Sequence, residues 1–201
     1  MSRGEDGRPL RFAGVCLAAG EAARFGADKL VAPFRGKPLL QWAVEPLREC
    51  ARLDEVIVVV RPGFALPFAA PGCVTIENPE YRDGMSASLR AGVLAAHEST
   101  DAYVITLGDM PLLTAVLIER LIAAFEICGR KILVPVHAGR RGHPVIISRS
   151  CREELLAIRG DVGARDLLGM HPEWVAHESV SAPGVIFDVD EAADFEGGGL
   201  D

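Results

Sequence analysis

The chain has 201 residues, with 21 Lys and Arg against 28 Asp and Glu and a formal net charge of −7. Hydrophobic residues make up 49% and charged residues 24%, a balance that excludes a disordered or fibrous chain and predicts a folded globular one. The length predicts a single domain over 1–201, and the acidic excess excludes a nucleic-acid binder that works through a general basic surface.

In chain order, residues 12–18 read as a buried strand followed by a Gly-containing loop. Residues 39–52 carry Leu40, Ala43, Val44, Leu47 and Ala51 near i, i+3, i+4 spacing, which predicts a helix. Residues 55–60 form a continuous β-branched run, the mark of a strand covered on both faces. A Pro/Ala-rich connection over 62–71 leads to a short strand over 74–77 and a helix over 86–97. Residues 102–107 read as another buried strand, and Thr114 as the N-cap of a helix reaching residue 127. Strands over 132–136 and 144–148 flank a turn, and helices over 152–156 and 163–168 precede strands near Val175 and Val185. Strands alternating with helices predict a three-layer α/β/α sandwich around a mostly parallel, Rossmann-like sheet. Residues 1–10 and 197–201 are expected to be mobile. Ligands of such sheets bind at the carboxyl ends of the strands, so residues that follow strands carry the functional reading.

The five cysteines are widely spaced and form no Cys-x-x-Cys pair, which argues against a zinc ribbon or a thioredoxin-like site and fits buried thiols in a reducing compartment. The first residues carry acids and no apolar core, unlike a secretory signal. The most apolar run, Val56 to Val60, falls far short of the ~20 residues that span a bilayer. A cytoplasmic location with no membrane partner is expected.

After the first predicted strand come Leu17, Ala18, Ala19 and Gly20, then Arg24 and Lys29, then the run Gly36-Lys37-Pro38-Leu39-Leu40. Small residues at a strand end let a ligand approach the backbone, whose N–H groups can cradle phosphate oxygens. Arg24 and Lys29 add one planar and one flexible cation. A plain Gly/Ala turn with two solvated cations fits the spacing equally well. After the strand over 102–107 comes Gly108-Asp109-Met110-Pro111. Asp109 there is either a hard oxygen ligand for Mg²⁺ or a cap of the turn before Pro111. Near the end, Phe187-Asp188-Val189-Asp190 follows Val185 and Ile186. Strand alternation would put Asp188 and Asp190 on one face, whereas a solvated acidic tail is the simpler alternative.

These motifs resemble those of the MobA-like nucleotidyltransferases, and among them the molybdenum cofactor cytidylyltransferases. The ordered match is L-A-A-G-x-x-x-R-F-G-x-x-K followed by G-K-P-L-L. Ala22 stands where the family usually has a serine, which removes one hydroxyl contact, and Glu191-Ala192-Ala193 replaces the usual T-P-E after the closing D-x-D. The stretch from Asn78 through Tyr81 and Gly84 to Ser86 and Ser88 resembles the family's N-x-x-[WY]-x-x-G-M-x-x-S-L. Arg141-Gly142-His143-Pro144-Val145 and Gly160-Asp161-Val162-Gly163-Ala164-Arg165 resemble its R-G-H-P-V and G-D-x-G-A-R.

The resemblance implies a nucleotide-diphospho-sugar transferase-like fold and a Mg²⁺-dependent transfer of CMP from CTP to the phosphate of molybdenum–molybdopterin. It implies catalytic roles for Arg24, Lys29 and Asp109, and metal ligation by Asp109 and Asp190. Leu17, Ala18, Ala19, Gly20, Lys29, Asn78, Gly84, Ser86, Ser88 and Asp109 would form the nucleotide site. Gly142, His143, Asp161 and Arg165 would lie on the acceptor side. Ala19, in place of a second glycine, points to the cytidylyl branch. The alternatives are another nucleotidyltransferase using GTP or a sugar phosphate, a flavin- or NAD-dependent oxidoreductase on the same scaffold, and a chaperone delivering cofactor to a molybdenum hydroxylase, which is also the expected recipient. On residues alone, Ser86 or Ser88 capping a helix and His143 bonded to backbone in a turn are the competing readings. The charge is uneven: nine acids and no Lys or Arg follow Arg165. Most of the chain is therefore mildly cationic, as a binder of polyanionic small molecules should be.

Overall fold

The structure, a computed structural model, describes residues 7–20, 28–161 and 163–190. Ten strands and five helices occur among the described residues: β1 (Phe12–Ala18), β2 (Pro33–Phe34), β3 (Lys37–Pro38), α1 (Leu39–Glu49), β4 (Glu55–Val60), β5 (Cys73–Glu77), α2 (Met85–Ala95), β6 (Ala102–Leu107), α3 (Ala115–Cys128), β7 (Ile132–His137), β8 (Arg140–Arg141), β9 (Val145–Ser148), α4 (Arg152–Ala157), α5 (Arg165–Met170) and β10 (Val175–Ser179). The main sheet runs β10-β7-β9-β6-β1-β4-β5, with β8 paired to β7. β1 lies parallel to both β4 and β6, while β9 runs antiparallel between β6 and β7.

Strand alternation divides the apolar core into two layers. From β1, Phe12, Cys16 and Ala18 pack with residues of α1 and α3 on one face. Ala13, Val15 and Leu17 pack with residues of α2, α4 and α5 on the other. The β-branched run Val56 to Val60 is buried throughout, as a strand covered on both sides must be. The chain moves outward from β1 through β4 to β5, then returns by α2 to β6 on the other side of β1. The order of strands therefore reverses between β1 and β6, and in such sheets the crevice at that switch point takes the ligand.

Several elements differ from expectation. The helix predicted over 39–52 ends at Glu49, because the amide of Ala51 is taken by Glu119 of α3 at 3.0 Å. No strand forms at Val185; residues Pro183–Val185 make a 3-10 turn instead. Pro183 brings no N–H to a ladder, and a Cβ on Gly184 would overlap the Leu112 carbonyl, so the chain turns tightly there. In the stretch expected to be mobile, Arg8 is anchored to Asp101 at 2.6 Å and to the Ser99 carbonyl at 2.9 Å. Residues 1–6 and 197–201, the rest of the expected mobile ends, lie outside the described residues.

Candidate functional site

The ends of β1 and β6 are held side by side by the Gly108 amide, which donates to the Leu17 carbonyl at 2.9 Å. Lys29 reaches the same place on a short 3-10 turn, Lys29–Val31. Asp28 caps that turn, its Oδ1 accepting from the Leu30 amide at 3.2 Å, and Arg61 at the end of β4 pairs with the other Asp28 oxygen. The residues on either side of Lys29, Asp28 and Leu30, thus fix where its stem begins.

The Lys29 ammonium donates to Asp109 Oδ2 at 2.7 Å and to the Val189 carbonyl at 3.0 Å, and lies 3.5 Å from Asp190 Oδ1. The Val189 amide donates to the Asp109 carbonyl at 3.0 Å, so the segment carrying Asp188 and Asp190 is pinned to the end of β6. Val189 itself is buried against Phe34 and Leu39, which leaves its two acidic neighbours exposed beside Lys29. The acids reach the sheet edge without the strand expected to deliver them. Partial burial works against the charge on Lys29, but Asp109 and then Asp190 outweigh it and hold the ammonium above its ordinary range. Partial desolvation, then Asp190 and Asp109, push the Asp188 carboxyl up. Asp109 Oδ1 is buried and has no hydrogen-bond partner among the described residues.

Above this cluster opens a cavity of about 760 Å³. Leu17, Ala18, Ala19, Gly20, Lys29, Leu107, Gly108 and Asp109 form one side of it, and Tyr81, Arg82, Asp83, Gly84, Met85, Ser88 and Asp161 another. Nine residues singled out from the sequence therefore line it: Leu17, Ala18, Ala19, Gly20, Lys29, Gly84, Ser88, Asp109 and Asp161. Arg24 and Ala22 lie outside the described residues, as do residues 191–193.

Other expected residues take different places. Asn78 does not line the cavity; it is buried, its side-chain amide donating to Ser88 Oγ at 3.1 Å and its carbonyl oxygen accepting from the Glu80 amide at 3.0 Å. Ser86 is fully buried and accepts from Arg90. Neither serine caps α2, whose N-cap is Gly84. Nor are the first amides of α2 open to an anion: Met85 N–H donates to Asp161 Oδ1 at 3.1 Å and Ser86 N–H to the Gly160 carbonyl at 3.2 Å. A helix start offers its dipole to a ligand only where its N–H groups point at one, and here another loop has taken them.

On the expected acceptor side, Gly142 is a spacer. A Cβ there would overlap the Val185 carbonyl, and its amide donates to Pro135 at 2.9 Å. The half-buried His143 ring lies 3.3 Å by Nδ1 from the Ile105 carbonyl, and the His143 amide donates to Val185 at 2.8 Å. Burial holds the imidazole below its ordinary range despite Ile105 and Asp109. The ring is therefore neutral at pH 7, with Nδ1–H as donor and Nε2 left as acceptor. Arg165 is exposed at the start of α5 and close enough for its charge to act on His143. Gly142, His143 and Arg165 do not line the main cavity. Lys37, in the same N-terminal run as Lys29, pairs with Glu45 at 2.8 Å and sits 4.7 Å from the Trp42 ring centre; it belongs to the surface of α1.

Tyr81, Arg82, Asp83 and Met85 line the cavity without having been singled out as site residues. Their signal was available in the Asn78 to Leu89 run, where a turn between the end of β5 and Gly84 had to pass over the strand ends. Arg61 and Arg90 were also missed, since Asp28 and Ile158, to which they bond, lie 33 and 68 residues away in sequence.

A protein-family model described as the MobA-like NTP transferase domain matches residues 14–177. A Thermococcus gammatolerans protein named probable molybdenum cofactor guanylyltransferase is 34% identical over 125 residues, covering 61% of this chain and 61% of that relative's length. The Escherichia coli K12 molybdenum cofactor cytidylyltransferase is 26% identical over 185 residues, covering 90% of this chain and 92% of its own. Among solved structures, Rv0371c from Mycobacterium tuberculosis H37Rv superposes with a TM-score of 0.81 at 28% identity, covering 93% of this chain and 96% of that one. Its complex with manganese gives 0.73 at 25% identity, covering 93% and 97%. The sheet and its helices form the nucleotide-diphospho-sugar transferase fold.

Proposed function

Because the chain belongs to the MobA-like NTP transferase family, we propose that it moves CMP from CTP to the phosphate of molybdenum–molybdopterin, giving the cytosine dinucleotide form of the cofactor and pyrophosphate. The observation that carries this reading is the Lys29–Asp109–Asp190 cluster at the switch point of the sheet, beneath a cavity of nucleotide size.

In this reaction an oxygen of the acceptor phosphate monoester attacks the α-phosphorus of the nucleotide. The bond from that phosphorus to the bridging oxygen breaks, and pyrophosphate leaves with the electron pair. The attacking oxygen is already ionised near neutral pH, since its second pKa is about 6, so no general base is needed. What the protein must supply is in-line positioning and charge neutralisation. Lys29, held charged by its carboxylate neighbours, exchanges those contacts for the phosphates of the bound nucleotide. The small residues Ala18, Ala19 and Gly20 let the triphosphate come close to the backbone. Arg24 would add a second cation.

Among the described residues no group of three or more His, Cys, Asp or Glu stands ready to hold a metal. Two carboxylates suit Mg²⁺ nonetheless, because that ion keeps waters and takes the remaining ligands from substrate phosphates. The unpartnered Asp109 Oδ1, with Asp190 beside the same ammonium, is the donor pair that would hold it. When bound, the ion neutralises charge on phosphate oxygens of both substrates. That the similar Rv0371c has been solved in complex with manganese supports a divalent cation for this chain as well.

Relatives named guanylyltransferase favour GTP as a second reading of the donor, whereas Ala19 and the long E. coli match favour CTP. Pyrophosphate release with molybdenum–molybdopterin or a sugar phosphate as acceptor and CTP, GTP or ATP as donor decides between them. CTP is expected to be fastest; a GTP preference overturns the cytidylyl assignment, and release only with a sugar phosphate overturns the acceptor. We place the reaction in the cytoplasm, where nucleoside triphosphates are made and the five free thiols stay reduced, with a molybdenum hydroxylase as recipient of the product.

A further inference from the structure

One wall of the cavity is assembled from two stretches far apart in sequence: the turn over 81–85 that leads into α2, and Asp161. The two meet at Gly84, whose φ of +97° suits glycine and whose added Cβ would lie 2.7 Å from the Gly160 carbonyl group. Two bonds cross the seam there, from the Met85 amide to the Asp161 carboxylate and from the Ser86 amide to the Gly160 carbonyl.

One side chain spans the seam from behind. Arg90, in the second turn of α2, donates through Nη1 to the Ile158 carbonyl at 2.7 Å and to Ser86 Oγ at 3.3 Å, and through Nη2 to Glu80 Oε2 at 3.3 Å. Its side chain is 14% exposed, that of Glu80 65%. A single guanidinium therefore bonds to the residue before the Tyr81 turn, to the first turn of α2 and to the strand of chain that leads into Gly160 and Asp161. Arg90 itself does not line the cavity. The planar fork suits this bridging, and an ammonium on a lysine stem has no equivalent fixed geometry.

We propose that Arg90 is a positioning residue: it locks the 81–85 turn and the 158–161 loop into one wall at the spacing that binds the nucleoside triphosphate. The identity of that ligand rests on the nucleotidyl-transfer reading; the lock does not. The Ile158 carbonyl also accepts from Arg159 Nη1 at 2.8 Å, but that bond stays within the loop. Without the Arg90 guanidinium the side-chain tie from Ile158 to α2 is lost, the loop opens locally, and binding must then supply the ordering that Arg90 supplied beforehand. The loss falls on binding rather than on the chemical step, because Lys29 and Asp109 stand on separate elements.

The test compares wild type, R90M and R90K by amide hydrogen exchange without ligand, by CTP titration and by pyrophosphate release. In R90M, exchange is expected to quicken at residues 84–86 and 158–161 while the central sheet stays protected. Kd and KM for CTP should rise about tenfold with kcat within about twofold of wild type. R90K should fall between the two. Unchanged exchange at 158–161 overturns the lock, as does a fall in kcat at unchanged KM. Quickened exchange throughout the sheet marks a general structural role and overturns it too. If R90M does not fold, R90K is read by the same criteria. Should wild type fail to bind CTP, the nucleotide reading falls, while exchange in the unliganded protein still decides the lock.

Discussion

Lys29 and Asp109, 80 residues apart, meet at 2.7 Å where β1 and β6 end. Each side chain is 19% exposed, so the pair is sheltered from water without being sealed from it. Sheltered charges act more strongly on a phosphate than solvated ones do. Replacing Lys29 or Asp109 by Ala is expected to lower pyrophosphate release about 10²–10³-fold. Circular dichroism should show both variants folded, since Lys29 sits on a 3-10 turn and Asp109 just past β6, both outside the apolar core. Near-wild-type turnover in either would sink the mechanism.

The direction of the Lys29 shift sets a pH expectation. Its folded-state pKa lies above the unfolded one, so the stability this contributes is fully present below the unfolded value, about 10.4. It is lost only as pH rises through the folded value. Neither turnover nor melting temperature should therefore show a basic limb attributable to Lys29 below about pH 10. A Lys29-dependent limb between pH 8 and 9, absent in Lys29→Arg, would contradict the pairing.

His143 shifts in the opposite direction, with burial as the main cause. Its folded-state pKa lies below the unfolded value, about 6.5. As pH falls through that value the unfolded chain takes up a proton that the folded chain refuses, so stability drops. His143→Gln is expected to lose less melting temperature than wild type between pH 7 and pH 5. An identical acid slope for the two proteins would show that the imidazole is not held neutral.

Gly84 joins a positive φ to a close approach. Gly84→Ala must strain its own backbone and push against Gly160, a cost of about 2 kcal/mol. Urea unfolding should register that loss, and CTP affinity should weaken with it because the displaced backbone lines the cavity. A stable, tightly binding Gly84→Ala protein would refute the close seam.

Thr114 offers a control outside the lining of the cavity. Its Oγ1 accepts from the Leu117 amide at 3.2 Å at the start of α3. Thr114→Ala should cost about 1 kcal/mol, measured by urea unfolding, with KM for both substrates unchanged.

The particular elements show which parts were legible in the sequence. Residues 12–18, 55–60 and 102–107 were read at their observed bounds, because strands buried on both faces are unbroken apolar runs whatever surrounds them. Thr114 was read as a cap because capping is local chemistry. Lys29 and Asp109 were legible through their placement after such strands and through the family motifs. Residues 185–187 misled for the same local reason: they are apolar like a strand, but Pro183 and the tight contact of Gly184 on Leu112 turn the chain.

The net charge of −7 divides in the same way. Composition and order alone determined that the acids gather after Arg165, that buried strands would form, and which short motifs follow them. Only the tertiary structure decided that Asp190 comes to Lys29, that Asp161 spends its carboxylate on α2, that Gly142 serves to admit Val185, and that Arg90 spans the seam. Burial periodicity and capping depend on neighbours a few residues away, and so are written locally. Which carboxylate meets which cation across 80 residues or more depends on strand order and on the path of the final segment, and exists only once the sheet has assembled.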